Sequence, residues 1–387
     1  MNFDPDVGGE FLREEVREFL DAVLTKDLKE KLRSTGTQHD DRFQRALAAR
    51  GWMAPGWPVE LGGQGRDPME ILAFNEELEI AGAPMYGPQT TLIAANVIAR
   101  FGTEQQKKEI IEPSLRGAVT FVLGLSEPSG GSDLAAVKTR AEKDGDQWVI
   151  NGAKMFTTNA HVGDYVLLLA RTDPNKPKHR GLTVFVVPLD DPGIEIQPVF
   201  TVSGERTNLT FYNDVRIPDT LRIGDVDDGW RVMSVGLAVE RSGAFGGESV
   251  RLLSRMERWA EGLDDDGNVR AANPDVQERI GRAAAENEII QLLSWRNAWL
   301  HARDRLPGVE GSMTKLFSSE AITRQSADFV DMLGPDGIRG QGDADAPAEG
   351  ETEWAFRYAL GTTTYGGTSE IQRGIIAEHG LGLPRSR

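Results

Sequence analysis

The stretch Gly124-Leu-Ser-Glu-Pro-Ser-Gly-Gly-Ser-Asp133, read together with Asn151-Gly-Ala-Lys-Met-Phe-Thr-Thr-Asn159, decides the fold. In the first string Gly130, Gly131 and Ser132 are small enough to let a backbone approach a flat ligand closely. Ser126 and Ser132 add hydroxyls and nearby amides as hydrogen-bonding groups. Such a loop suits a ring edge or a phosphate. On composition alone it also reads as a plain turn.

Around these strings the sequence has β texture. Trp148-Val-Ile150, Tyr165 to Ala170, Thr183 to Val187, Ile194-Glu-Ile196 and Leu209 to Ile217 are short β-rich runs separated by Gly, Pro, Asn and Asp. They predict a small antiparallel β unit. No helix-length segment lies between them and no Gly-x-Gly-x-x-Gly follows a strand, which argues against a Rossmann sheet.

On both sides the texture is helical. Phe11, Leu12, Val16, Phe19, Leu20, Val23, Leu24 and Leu28 fall at helical spacing and predict one amphipathic segment from Phe11 to Leu32. Helices are predicted over Arg42 to Arg50, Pro68 to Ala81, Thr90 to Phe101 and Glu104 to Leu115, with a loop at Trp57-Pro-Val-Glu-Leu-Gly-Gly63. After Gly229 long helices are predicted over Trp230 to Trp259, Pro274 to Arg303, Ser312 to Leu333 and Ser369 to Glu378. Asn273 before Pro274 is an N-cap followed by proline at the first helical position. The polar, glycine-rich stretch Gly340 to Gly350 reads as a mobile excursion. The resulting fold class is α+β, with an N-terminal α-helical domain over 1–118, a middle β domain over 119–228 and a C-terminal helical bundle over 229–387.

Composition narrows the function. The net charge of −17 disfavours nucleic-acid phosphates and anionic membranes as partners, and equally obliges any polyanionic ligand to find local cations. With no cysteine, disulfides, thiolate nucleophiles and Cys-ligated metals are excluded. The 5 histidines are scattered, with no pair at metal-ligand spacing. No run of about 18 apolar residues suggests a membrane span and the N-terminus lacks an apolar signal core, so a cytoplasmic location is the expectation.

A third string, Tyr365-Gly-Gly-Thr-Ser-Glu-Ile-Gln-Arg373, completes the pattern. Together the three strings resemble the acyl-CoA dehydrogenases. So do Trp57-Pro-x-x-x-Gly-Gly63, the helix start Phe101-Gly-Thr-Glu and the ending Gly380-Leu-Gly-Leu-Pro384, and the likeness covers nearly the whole chain. The resemblance implies an α+β fold with a barrel-like antiparallel middle domain and a C-terminal four-helix bundle. It also implies FAD, an acyl-CoA substrate, an electron-transfer flavoprotein as acceptor and an oligomer, typically a tetramer. Leu125 and Ser126 would contact the pyrimidine side of the flavin, Ser132 the flavin and substrate, and Thr158 the N5 edge. Phe156 would pack on the isoalloxazine where a tryptophan is usual, and Thr368 would be a further cofactor contact.

The family reaction needs a base for a weakly acidic α-proton and donors at the thioester oxygen. Gly366 stands where many members carry the catalytic glutamate, yet it keeps a backbone N–H as an oxyanion donor. A minority of members carry the base in a Glu-Arg pair soon after the β domain. Leu237-Ala-Val-Glu240-Arg241-Ser-Gly fits that place, making Glu240 the candidate base and Arg241 the adjacent cation at the thioester end. A surface salt bridge is the alternative for this pair, and Glu370 is a rival base.

Two loops depart from the homotetrameric pattern. Trp259-Ala-Glu-Gly-Leu-Asp-Asp-Asp-Gly-Asn268 is acidic where the family places an arginine reaching a neighbour's FAD pyrophosphate, and Asp331-Met-Leu-Gly-Pro-Asp-Gly337 replaces a glycine-rich loop. These departures leave open a heteromer in which this chain is a half-site or non-catalytic subunit. Relatives that act as flavin oxidases or on carrier-protein thioesters leave the electron acceptor open as well.

Overall fold

A computed structural model describes residues 10–241, 246–303, 305 and 308–384. The chain divides into two compact units. One comprises Met1–Asp21, Asp67–Ala83 and Arg241–Arg387, the other Ala22–Arg66 and Pro84–Glu240.

The second unit is built on an 8-stranded sheet: β1 (Phe121–Gly124), β2 (Arg140–Asp144), β3 (Gln147–Lys154), β4 (Tyr165–Arg171), β5 (Leu182–Pro188), β6 (Ile194–Phe200), β7 (Arg206–Pro218) and β8 (Arg222–Ile223). The strand order is β6-β7-β3-β2-β4-β5-β8, with β1 alongside β4. Most pairs are antiparallel, as the short turns require. β1 pairs with β4 in parallel, Phe121 opposite Tyr165, because the chain enters β1 from the helical segment and not through a hairpin. β4 reads as an unbroken apolar run because both its faces are covered. Val166 and Leu168 join Trp148, Phe185 and Tyr212 in one core, while Leu167 and Leu169 join Ala94, Val97, Ile98, Val232 and Met233 in another. The second core brings two helices onto the sheet, one spanning Tyr86–Phe101 and the other Gly229–Arg241.

In the other unit, helices Gly247–Ala260, Pro274–His301, Glu310–Leu333 and Glu351–Thr362 form the C-terminal bundle around Leu252, Met256, Ala283, Phe329 and Ala355. Its core is partly polar. Ser249 Oγ lies 2.5 Å from both the Asn287 and the Gln325 side-chain amides, all three buried. Buried polar groups joined this way fix one helix register.

Several boundaries differ from those expected. The Phe11–Leu32 segment is two helices, Glu10–Val23 and Lys26–Thr35, because Thr25 turns its hydroxyl to accept from Leu28 N at 3.2 Å and starts a new helix. The Trp230–Trp259 segment likewise divides, one helix ending at Arg241 and the next starting at Gly247, across a glycine-rich stretch of poor helix propensity. Residues 340–350 contain turns in which Arg339 bonds Asp343 at 3.0 Å, and they lead into helix Glu351–Thr362, which the sequence reading passed over.

Candidate active site

The two flavin-type strings leave the ends of neighbouring parts of one sheet. The first continues from β1, and the second spans the end of β3 and the turn after it. Met155 N donates to Ser126 O at 2.8 Å, which ties one string to the other. Reciprocal backbone bonds between Glu127 and Gly130, 3.1 and 3.0 Å, close the first string into a tight turn.

A buried ion pair holds this junction. Lys154 Nζ lies 2.9 Å from Glu127 Oε1 and donates to Leu125 O at 3.1 Å. Glu127 also accepts from Lys138 N and Thr139 N at 2.6 and 2.8 Å. Burial pushes the Glu127 carboxyl up, but the Lys154 charge and these amides outweigh it, so it sits below the usual carboxylate range. Burial pushes the Lys154 ammonium down to about 8 against the pull of Glu127. The pair is therefore ionic near neutrality. Sequence reasoning missed it. Its signal was a lone Glu and a lone Lys inside otherwise small or uncharged strings.

Phe156 is the exposed face of this junction. Its φ is +60°, a left-handed conformation unusual for an aromatic residue, and its side chain is 55% exposed. The turn is held by Thr158 N to Phe156 O at 2.9 Å and by Asn208, which bonds Thr157 O through its side chain at 3.0 Å. Thr158 Oγ1 meets Thr207 Oγ1 at 2.9 Å. Gly130, Gly131 and Ser132 are exposed, and a Cβ at Gly130 would meet nothing within 4 Å. The small residue at 130 therefore serves no packing need of this chain. The Met155 N–Ser126 O bond thus brings the first string beside the turn of Phe156 and Thr158, which carries one exposed aromatic ring with hydrogen-bonding groups near it in the chain. Ser132 lies outward of it, next to the Asp133–Lys178 pair at 2.7 Å.

In the other unit Gly366 and Gly367 form a turn with φ of +64° and +89°. A Cβ at Gly366 would have Lys315 Cε at 3.9 Å as its nearest neighbour, an ordinary contact without a clash. Lys315, buried in helix Glu310–Leu333, donates to Gly367 O at 2.7 Å. Buried Gln372 donates to Gly366 O at 2.9 Å and Gly367 O at 3.3 Å. Neither residue was singled out from sequence. Lys315, a lone cation between apolar Met313 and Phe317, was the available signal. Thr368 caps the helix Ser369–Ile375, accepting from Ile371 N at 3.3 Å. The exposed Glu370 carboxyl is held below its usual range by its own backbone N–H and by Thr368, a poor setting for a base.

Glu240 and Arg241 end the helix Gly229–Arg241, and their side chains lie outside the described residues. The acidic turn is closed on itself, with Asp264 Oδ1 accepting from Asp266 N and Asn268 N at 3.0 and 2.8 Å. Among the described residues no helix is long and apolar enough to cross a membrane, and no cluster of His, Asp or Glu suits a metal.

Comparison with known proteins agrees along the chain. Family models for the acyl-CoA dehydrogenase N-terminal, middle and C-terminal domains match residues 9–118, 122–214 and 227–381. Acyl-CoA dehydrogenase FadE26 of Mycobacterium tuberculosis is 34% identical over 390 residues, 97% of each chain. The human mitochondrial short-chain specific acyl-CoA dehydrogenase is 30% identical over 88% of this chain and 83% of its own. Among solved structures, the ChsE4-ChsE5 complex from Mycobacterium tuberculosis superposes with a TM-score of 0.91 at 34% identity over 98% of both chains. The Tcur3481-Tcur3483 steroid ACAD does so at 0.89 and 33% over 97% of both. With all three domains matched in order over most of its length, this chain belongs to the acyl-CoA dehydrogenase family.

Proposed function

We propose that the chain catalyses α,β-dehydrogenation of an acyl-CoA thioester, with Glu240 removing the α-proton. The junction of the two strings, tied by the Met155 N–Ser126 O bond and held by the buried Glu127–Lys154 pair, is the observation that carries the reading. FAD bound there supplies the acceptor for the β-hydrogen as hydride. Phe156 offers its face to the ring, Thr158 a hydroxyl, and Leu125 and Ser126 backbone groups. Ser132 and Arg241 line the substrate side. The Gly366 amide donates to the thioester oxygen as negative charge develops there. Glu240 acts where no carboxylate is present at 366, and burial beside a thioester raises a carboxyl toward a useful range. An electron-transfer flavoprotein is the acceptor this reading implies. The steroid enzyme among the similar structures favours a bulky, ring-bearing acyl group.

A second reading has the chain as a half-site or non-catalytic subunit of a heteromer. It is favoured by the closed acidic turn at Asp264 and by Arg339, which is engaged by Asp343 and flanked by Asp336 and Asp345 at 3.7 and 3.6 Å. Aspartates so placed repel a neighbour's pyrophosphate. Two-component complexes among the similar structures agree with it.

The test is anaerobic bleaching of the purified flavoprotein by a panel of acyl-CoAs. Bleaching by one of them supports the dehydrogenase. Protein that purifies without FAD, or a flavin that none bleaches, moves the assignment to the second reading.

A further inference from the structure

Two consecutive glycines in left-handed conformation make a flexible turn, since neither has a Cβ to restrict it. Here the turn is restrained from one side. Lys315 Nζ holds Gly367 O at 2.7 Å, and Gln372 Nε2 holds Gly366 O at 2.9 Å and Gly367 O at 3.3 Å. Both side chains are 1% exposed. No peptide bond in the described chain is cis, so each amide N–H points opposite to the carbonyl of its own peptide. With the Gly366 carbonyl drawn to buried Gln372, the N–H of Gly367 in the same peptide is turned to the opposite side. Among the described residues neither the Gly366 nor the Gly367 N–H has a protein acceptor. The turn therefore presents the unpaired Gly367 N–H on one side and is fixed from the other, as preorganised oxyanion stabilisation requires.

We propose that Lys315 is a positioning residue for this reaction, with Gln372 as its second support. It fixes the Gly366–Gly367 turn so that its amides meet the thioester oxygen of the acyl-CoA. The inference rests on the dehydrogenase reading. It also explains how a chain with glycine at 366 keeps a rigid donor turn: buried side chains supply the restraint that a bulkier residue would otherwise give.

The experiment uses FAD-loaded protein and a 3-oxoacyl-CoA, whose α-proton is acidic enough to ionise without hydride transfer. The bound enolate is followed by ultraviolet absorbance against pH in wild type, Lys315→Met, Lys315→Arg and Gln372→Met. Wild type should lower the apparent pKa of the bound ligand relative to solution. Lys315→Met should return most of that shift and lower kcat by about 10- to 100-fold with little change in KM. Lys315→Arg should restore part of both. If Lys315→Met does not fold, Gln372→Met, which releases the Gly366 carbonyl, gives the same readout. Unchanged enolate pKa and kcat in flavin-retaining variants overturn the proposal. So does activity lost only in step with flavin content, since that is what a structural lysine would give. A wild-type holoenzyme that binds the ligand but leaves its pKa at the solution value removes the dehydrogenase reading, and this inference with it.

Discussion

Lys154 has no solvent exposure, and its ammonium is compensated by one carboxylate and one carbonyl. Lys154→Met leaves Glu127 charged and without its counter-ion in the interior, so the variant should lose about 3–5 kcal/mol in denaturant unfolding. Adding Glu127→Gln to it should recover part of that loss, because the isolated charge is gone. The glycine turn gives a graded comparison. Gly366→Ala places a Cβ without a clash but at φ +64°, so strain alone should cost about 1–2 kcal/mol. Gly367→Ala adds a clash with Gln372 Nε2, which would lie 2.7 Å from the new Cβ, and should destabilise more. Melting temperatures of the two variants check this order. The motif strings were legible in sequence because small residues and hydroxyls in a fixed order are rare. The residues beneath them were not. A buried Lys in a strand or helix looks like any surface Lys until its tertiary partners are known, and Lys315 meets Gly367 only across a separation of 52 positions.

At the level of elements, the segment between helices Lys26–Thr35 and Asp41–Ala49 docks on the turn that carries Phe156. Thr37 Oγ1 meets His161 Nε2 at 3.0 Å, and Asn159 Nδ2 donates to Gln38 O at 3.3 Å. Burial, with Arg206 and His39 nearby, pushes the His161 pKa down to about 4. Its unfolded value lies near 6.5, so between about 6.5 and 4 the unfolded chain binds more protons than the folded one. Stability contributed through His161 is therefore intact above that window and falls as the pH drops through it. A His161→Asn variant should show a shallower loss of melting temperature over this range; an unchanged slope would contradict it. Elements with strong local signals were readable in advance. Helix Pro68–Ala81 has the bounds expected; Asp67 and Glu70 form a capping box at its start, and Gly82 ends it in a left-handed conformation. β2 escaped notice because only Ala141 of its five residues is buried, which leaves no alternation to read. The helix start at Gly247 and the helix Glu351–Thr362 were passed over because both follow glycine-rich sequence that carries no hydrophobic periodicity to mark a boundary.

For the molecule as a whole, a net charge of −17 opposes the approach of a polyanionic CoA thioester. Raising ionic strength from about 0.01 to 0.15 M should therefore speed acyl-CoA association a few-fold, as screening shortens the repulsion. Stopped-flow binding checks the sign, and slower binding with salt would mean that a local cationic site dominates. The family and its three domains were legible from the strings and the alternation of α and β texture, and the comparisons agree. Subunit composition was not, because it depends on which neighbour meets the turn at Asp264 and the aspartates around Arg339. The central claim is that the base has moved to Glu240. Its most direct test is the rate of anaerobic flavin bleaching by a reactive acyl-CoA in Glu240→Gln beside wild type, with FAD content matched. The account predicts that bleaching is lost, by about 10²-fold or more for removal of a general base, while FAD and acyl-CoA binding persist. Bleaching at the wild-type rate in Glu240→Gln would contradict it and place the base elsewhere.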